Sequence, residues 1–276
     1  MTASPPIDPE LQPAPPALPD APAGDAGEAT SPREGEEQAP PIGSGWGKPY
    51  DVVYRDALAH GVVAGVVLPG DGAPVPAWAL ARLPPEEQEV ARGLRNFRQC
   101  AYVGGRLAAH AALDGLGLAQ GPVLTDARGA PLGPTGVSLS ISHKSHLAIA
   151  IAARADLGVL GVDLEELGRA RPHVAKVVLT PGELEVVGRL PPERRWVATL
   201  LRFSIKEAIY KALAPRLQRY IGFEEAEVTL RLDGTASVTL NLTQGEAPTS
   251  LDVRYHWLDG GFLSSVRARW GEPPLL

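Results

Sequence analysis

Three short runs carry residue types and spacings that could do chemistry. In Gly161-Val162-Asp163-Leu164-Glu165-Glu166, a strand would turn Asp163 and Glu165 to one face and Leu164 to the other, because strand side chains alternate. Paired carboxylates repel, and a fold that holds them together generally needs a cation between them. With oxygen ligands only, the ion such a site suits is Mg²⁺. The ordinary alternative is a solvated acidic strand end.

The second run is Phe203-Ser204-Ile205-Lys206-Glu207-Ala208-Ile209-Tyr210-Lys211. On a helix, Phe203, Glu207 and Lys211 share a face at i, i+4 and i+8. Glu207 and Lys211 could form a surface ion pair of little energetic consequence. Alternatively, Glu207 completes a carboxylate site with Asp163 and Glu165, and Lys211 stands beside a phosphate. The third run, Ser140-Ile141-Ser142-His143-Lys144, ends a strand with hydroxyl groups and an imidazole, or is a polar strand end with a surface His.

Missing signatures narrow the classes. The chain has no Gly-x-x-x-x-Gly-Lys-Ser/Thr loop, no Gly-x-Gly-x-x-Gly after a strand, no Gly-x-Ser-x-Gly elbow and no His-Glu-x-x-His. P-loop nucleotidases, dinucleotide-binding dehydrogenases, serine hydrolases and zinc proteases lose their usual marks.

The elements that must position these runs follow from pattern. Val52–Tyr54 and Gly61–Leu68 read as strands. Pro84-Pro85-Glu86-Glu87 opens a helical pattern that runs on from about Glu86 to Leu116 and places Arg98, Tyr102 and Arg106 on adjoining turns. Val137–Ile141, Leu147–Ala153 and Val159–Leu164 read as strands, with a turn at Arg128-Gly129-Ala130-Pro131 before them. Helices are expected at Pro181–Gly188 and about Glu193–Ala214. Two hairpins follow, turned by Asp233-Gly234 and by Asp259-Gly260-Gly261. The recurrence of a helix followed by strand-turn-strand predicts an α+β fold, mixed α/β in content, of two similar halves, each a small antiparallel sheet packed with helices. The expected division is a tail over residues 1–42, one half over 43–160 and another over 161–276.

Charge follows the same division. The 276 residues carry a net −6 and include 28 prolines. Residues 1–42 hold 11 of those prolines, no aromatic residue and eight acids against Arg33 alone, a net −7 that leaves +1 for the rest. Such a tail cannot bury enough apolar surface to order itself and is expected to be disordered. A near-neutral body excludes a broadly basic nucleic-acid binder. No apolar run approaches the roughly 20 residues of a membrane span, and no basic-then-apolar leader opens the chain. Cys100 is the only cysteine, so an internal disulfide is excluded and a reducing, cytoplasmic setting is expected.

Taken together, the motifs resemble the 4′-phosphopantetheinyl transferase family, and most of all its enterobactin-synthesis branch of two-half monomers. The family pattern is Gly-Val/Ile-Asp, about forty residues, then Phe/Trp-Ser/Cys/Thr-x-Lys-Glu-Ala/Ser-x-x-Lys. Here Gly161-Val162-Asp163 is followed after 39 residues by Phe203–Lys211. Gly129-Ala130-Pro131, Ser140–His143, Arg98 and Gly105-Arg106 match further family motifs in order, over about residues 83–214.

The resemblance implies a Mg²⁺-dependent transfer of 4′-phosphopantetheine from coenzyme A to a serine of an apo acyl or peptidyl carrier protein, with adenosine 3′,5′-bisphosphate released. It implies Asp163, Glu165 and Glu207 as metal ligands, and Asp163, Glu207 and Lys211 as the catalytic set. Lys211 would contact the phosphates. Arg98, Arg106 and His143 would hold the 3′-phosphate and its surroundings, and Arg128, Gly129, Ala130, Pro131 and Ser142 the adenine end. His110 stands where many relatives carry Arg. Other Mg²⁺-dependent phosphoryl transfer, or an inactive carrier-binding protein, are the alternatives. The branch suggests secondary metabolism, with no nucleic-acid or membrane partner.

Overall fold

Apolar runs that continue without alternation must be covered on both faces, and this chain has two of them, at β2 and β6. The computed structural model describes residues 43, 45–70, 72–118 and 121–271, so the acidic segment 1–42 lies outside the described residues. Strands β1 (Val52–Leu58) and β2 (Gly61–Val67) form a hairpin. Helices α1 (Ala77–Leu80), α2 (Pro85–Gly93) and α3 (Asn96–Gly115) follow, then the short pair β3 (Leu124–Thr125) and β4 (Pro131–Leu132), and the hairpin β5 (Val137–His143) and β6 (Leu147–Arg154). Strands β1, β2, β5 and β6 form an antiparallel sheet in the order β1-β2-β6-β5, and β3 and β4 pair separately.

The second half opens with β7 (Val159–Glu166), passes through α4 (His173–Val178), α5 (Pro181–Gly188) and α6 (Pro192–Leu217), and ends in hairpins β8 (Ala226–Leu230)–β9 (Ala236–Leu240) and β10 (Ser250–Leu258)–β11 (Gly261–Arg269). Its main sheet has the order β10-β11-β7.

Burial sorts the faces. On β2, Val62, Ala64 and Val66 pack with Val103, Leu107 and Ala111 of α3, while Val63 turns the other way. On β6, Ala150 and Ala152 face α3, while Ile149 and Ile151 join Val63, Leu160, Val162, Leu164 and Leu263 in a core between the two sheets. Helix α6 covers the far face of the second sheet against Phe262, Val266 and Tyr255. Each sheet therefore lies between a long helix and the other sheet, a mixed α+β architecture.

The sheets are also stitched edge to edge. The backbone N–H groups of Leu160, Val162 and Leu164 donate to the hydroxyls of Ser138, Ser140 and Ser142 at 2.9, 3.0 and 3.3 Å. Three serines on β5 thus take the place of a neighbouring strand's carbonyls and satisfy N–H groups that burial would otherwise leave unpaired. At the far side of the joint, the buried His60 of the β1–β2 turn holds Ser265 Oγ with Nδ1 at 2.9 Å. Its Nε2 faces Asp252 Oδ2 at 3.2 Å, an ion-pair distance without hydrogen-bond alignment.

One expected helix is two. Between α2 and α3, Leu94 and Arg95 are extended and Asn96 has φ 50°, so the chain turns and restarts. Gln99 Nε2 bonds Ala91 O at 2.9 Å across the break. The short helices α1 and α4 were not expected. The two-residue strands β3 and β4 were not expected either; the other strands, the remaining helices and both hairpins fall within a few residues of their expected limits.

Candidate active site

Strand β7 turns Leu160, Val162 and Leu164 into the core between the sheets and Gly161, Asp163 and Glu165 toward α6. The glycine makes that closeness possible: a Cβ there would stand 1.9 Å from Ala208 O and 2.8 Å from Ala212 N. With nothing between backbone and backbone, α6 lies against β7 and brings its Glu207–Lys211 face to the carboxylates.

Asp163 and Glu165 are each 6% exposed, so they are not a solvated strand end. Asp163 Oδ1 accepts from Lys211 Nζ at 2.8 Å and from Ser142 Oγ at 3.0 Å. Its other oxygen, Oδ2, is buried without a hydrogen-bond partner among the described residues. Lys211 Nζ also donates to Ser142 Oγ at 3.1 Å and to Val162 O at 3.0 Å. Lys211 therefore pairs with Asp163 rather than with Glu207. Glu165 Oε1 accepts from Lys144 Nζ at 2.7 Å, and Ser145 Oγ donates to Glu166 Oε1 at 3.2 Å.

The electrostatics show acids crowded together in a partly dry place. Burial, and then the charge of Asp163, push Glu165 up to about 7, against the weaker opposing pull of Lys144. The same two causes raise Glu207. His143 keeps an exposed face, but its ring packs edge-on to Phe97 at 5.7 Å. Loss of water there, followed by the charges of Lys211 and Lys144, lowers its pKa.

Asp163, Glu165 and Glu207 are the residues that could take a hard cation, since all their donors are oxygen. Among the described residues, no three His, Cys, Asp or Glu side chains stand ready to hold a metal as they are. In this structure Lys144 and Lys211 supply the counter-charge.

Two clefts meet at this point. One, of about 630 Å³, lies against Asn96, Phe97 and His143; the other, of about 590 Å³, lies against Glu165, Glu166, Trp196, Phe203 and Phe223. Lys144 and Ser145 border both. Lys144 is the site residue that sequence reasoning left out. Its place directly after His143, at the turn out of β5, is the signal that could have found it.

The structure does not bring all the expected residues together. Arg98 is exposed near the start of α3, next to Phe97, and makes no hydrogen bond or ion pair among the described residues. Arg106 departs from the expectation of a free phosphate fork. It is 6% exposed, donates from Nε to Val123 O and from Nη2 to Leu124 O at 3.3 Å and Thr125 Oγ1 at 2.7 Å, and lies over the Tyr102 ring. The reason is the helix face it occupies, which looks onto the chain leading to β3 rather than onto the clefts. Glu87, wholly buried, holds the same chain by accepting from Val123 N at 2.6 Å, and it also contacts His110 Nε2 at 2.8 Å.

The turn over Arg128–Pro131 is built by Asp126, whose Oδ1 accepts from the N–H groups of Arg128 and Ala130, and by Gly129 at φ 90°. Arg128 is exposed, and no hydrogen bond or ion pair joins this turn to the carboxylates among the described residues.

Comparison with known proteins closes the question of kinship. Residues 159–263 match the 4′-phosphopantetheinyl transferase superfamily, and residues 86–153 match the 4′-phosphopantetheinyl transferase N-terminal domain. The chain is 34% identical over 197 residues to 4′-phosphopantetheinyl transferase Npt of Nocardia iowensis, covering 68% of this chain and 82% of that protein. It is 30% identical over 193 residues to PptT of Mycobacterium tuberculosis, covering 69% and 81%. Enterobactin synthase component D of Salmonella typhi is 31% identical over 176 residues, covering 62% and 71%. On this likeness, and with the family's motifs meeting in space at β7 and α6, the chain belongs to the 4′-phosphopantetheinyl transferase family.

Proposed function

We propose that the protein moves the 4′-phosphopantetheine group of coenzyme A onto a serine hydroxyl of an apo acyl or peptidyl carrier protein. The observation that carries this reading is the meeting of Ser142, Asp163, Glu165, Glu207, Lys144 and Lys211 in one charged cluster, with Lys144 bordering both clefts and Glu165 one of them. The serine oxygen bonds to the phosphorus that bears pantetheine, and the bond from that phosphorus to the oxygen of adenosine 3′,5′-bisphosphate breaks. Negative charge gathers on the departing phosphate, so placed cations are the main requirement.

Asp163, Glu165 and Glu207 fit a Mg²⁺ ion by their donor chemistry. Asp163 Oδ2, without a hydrogen-bond partner among the described residues, and the burial that together with the charge of Asp163 raises both glutamates, mark an unmet demand for positive charge. Such an ion, when bound, neutralises the diphosphate. Lys211 stabilises charge on the departing phosphate from its seat beside Asp163 and Ser142. Glu207 is the carboxylate we assign to receive the serine proton. The cleft beside Phe97, bordered by His143 and Lys144, is the one we assign to the nucleotide phosphates, with the exposed Arg98 beside Phe97 in the chain. Arg106, with Glu87, sets the chain entering the Arg128–Pro131 turn and so acts on the nucleotide end at second hand.

We read the chain as a monomer of two halves dividing near residue 160, acting in the cytoplasm without nucleic-acid or membrane partners. No helix among the described residues is long and apolar enough to cross a membrane. Other Mg²⁺-dependent phosphoryl transfer predicts nucleotide turnover in the absence of a carrier. Release of adenosine 3′,5′-bisphosphate only when an apo carrier serine is present is the result this proposal requires, and release without it would overturn the assignment.

A further inference from the structure

Lys206 is the neighbour of Glu207 on α6, yet a step of about 100° around the helix sends its side chain away from the carboxylates. Only 3% of its surface is exposed. Its ammonium has three hydrogens and finds three acceptors: Glu183 Oε2 at 2.7 Å, Val178 O at 2.8 Å and Phe223 O at 2.9 Å. Each acceptor belongs to a different segment. Val178 ends α4, Glu183 lies in the first turn of α5, and Phe223 opens the turn before β8.

Glu183 extends the hold. It is 2% exposed, and it accepts from Thr180 N with Oε2 at 2.8 Å and from Val228 N with Oε1 at 2.7 Å. One ion pair thus joins α4, α5, the turn at Phe223 and the start of β8 to one point on α6. Arg202, one turn earlier and 5% exposed, adds a second positive charge facing Glu183.

Removing two charges from water costs about as much as their attraction returns, so a buried pair is weak evidence for stability and better evidence for a fixed geometry. The geometry fixed here is that of a cleft wall. Val178 and Phe223 line the cleft that also holds Glu165, and Phe203 packs on Phe223 with ring centres 5.7 Å apart. The rim of that cleft carries the exposed Arg169, Arg171 and Val177. A wall of apolar rings with a basic rim suits a folded protein with an acidic, part-apolar surface.

We propose that Lys206 is a positioning residue: it holds the cleft wall made by α4 and Phe223 at a set distance from Glu207, and so governs the fit of the carrier protein without touching either substrate. The inference rests on the transferase reading for the carrier, but the hold on the wall stands apart from it.

Two measurements on the full chain test both parts. In Lys206→Met, and in the near-isosteric Glu183→Gln should the first variant fail to fold, amide hydrogen exchange without any substrate should speed up over residues 174–180 and 223–228 while β6 and β7 stay protected. Unchanged exchange at the wall overturns the positioning role. In steady-state transfer, KM for the carrier should rise by roughly tenfold or more while KM for coenzyme A and kcat change by less than about threefold. Because both residues act through one ion pair, the double variant should lose no more than the worse single one. A collapse of kcat with KM for the carrier unchanged would make Lys206 a catalytic group and overturn the proposal. A wild type that transfers nothing, with the exchange result intact, would strike the transferase reading and with it the carrier half of the inference, leaving the wall.

Discussion

Ser142 Oγ donates a hydrogen bond to Asp163 Oδ1 at 3.0 Å, the hydroxyl coming from β5 of the first half and the carboxylate from β7 of the second. The same hydroxyl oxygen accepts from Leu164 N and Lys211 Nζ. It is both the last rung of the serine seam and part of the carboxylate cluster, so the joint between the halves and the candidate site cannot be altered independently. Ser142→Ala leaves a buried N–H and one face of Asp163 without their partner. The expected cost is about 1–3 kcal/mol in denaturant unfolding, with a loss of transfer rate beyond what the unfolded fraction explains. Ser138→Ala, on the same seam but distant from the cluster, should lower stability with little effect on transfer.

Gly161→Ala should weaken the contact that the site depends on most directly. Its Cβ would meet the backbone of Ala208 and Ala212, and backbone cannot step aside as a flexible side chain can. Overpacking of this kind costs roughly 1–3 kcal/mol or more. Since α6 carries Glu207 and Lys211, transfer should fall further than stability. Thermal unfolding and steady-state rates on the same preparation check this.

Glu165 makes stability depend on pH in the absence of divalent ions. Its carboxyl is raised from an ordinary 4.5 to about 7, so the folded protein holds this proton more tightly than the unfolded chain. The Glu165 contribution therefore favours folding at acid pH and is lost as pH rises between about 4.5 and about 7. Glu165→Gln should flatten that slope in urea unfolding across this window, and Mg²⁺ added at pH 8 should stabilise the wild type more than the variant.

His60 works in the opposite sense. Burial lowers its pKa below the ordinary 6.5, against a smaller upward pull from Asp252. The unfolded chain takes up the proton first, so stability falls as pH drops below about 6.5. His60→Gln should remove that dependence while costing stability at neutral pH, because Ser265 Oγ loses its aligned partner. A titration of unfolding free energy from pH 8 to pH 5 in both proteins would show it.

What could be seen in the sequence was local or periodic. Asp233-Gly234 and Asp259-Gly260 announced their hairpins because a tight turn needs positive φ, and Leu164 announced its core face by alternation. A shared cation site was one of two readings of the motif runs around Asp163 and Glu207, the family resemblance chose it, and Gly161 explains physically why they meet. Long-range partners were out of reach. Nothing near Lys206 in the chain marks Glu183 as its counter-ion, and nothing near Arg106 marks the carbonyl of Val123 as its acceptor. The break at Leu94 and Arg95 was hidden because neither residue is a helix breaker, and the turn is held by a contact from Gln99 to Ala91. Lys144 was passed over because its partner, Glu165, arrives from another strand.

The most direct measurement is the intact mass of an apo carrier protein after incubation with the enzyme, coenzyme A and Mg²⁺, over a panel from fatty-acid, polyketide and nonribosomal peptide systems. At least one carrier should gain a single phosphopantetheine on its serine. The gain should vanish with Asp163→Ala or Glu207→Ala and slow by orders of magnitude with Lys211→Ala, while all three variants remain folded. No gain on any carrier, or full transfer by folded Asp163→Ala or Glu207→Ala protein, would contradict the transferase assignment.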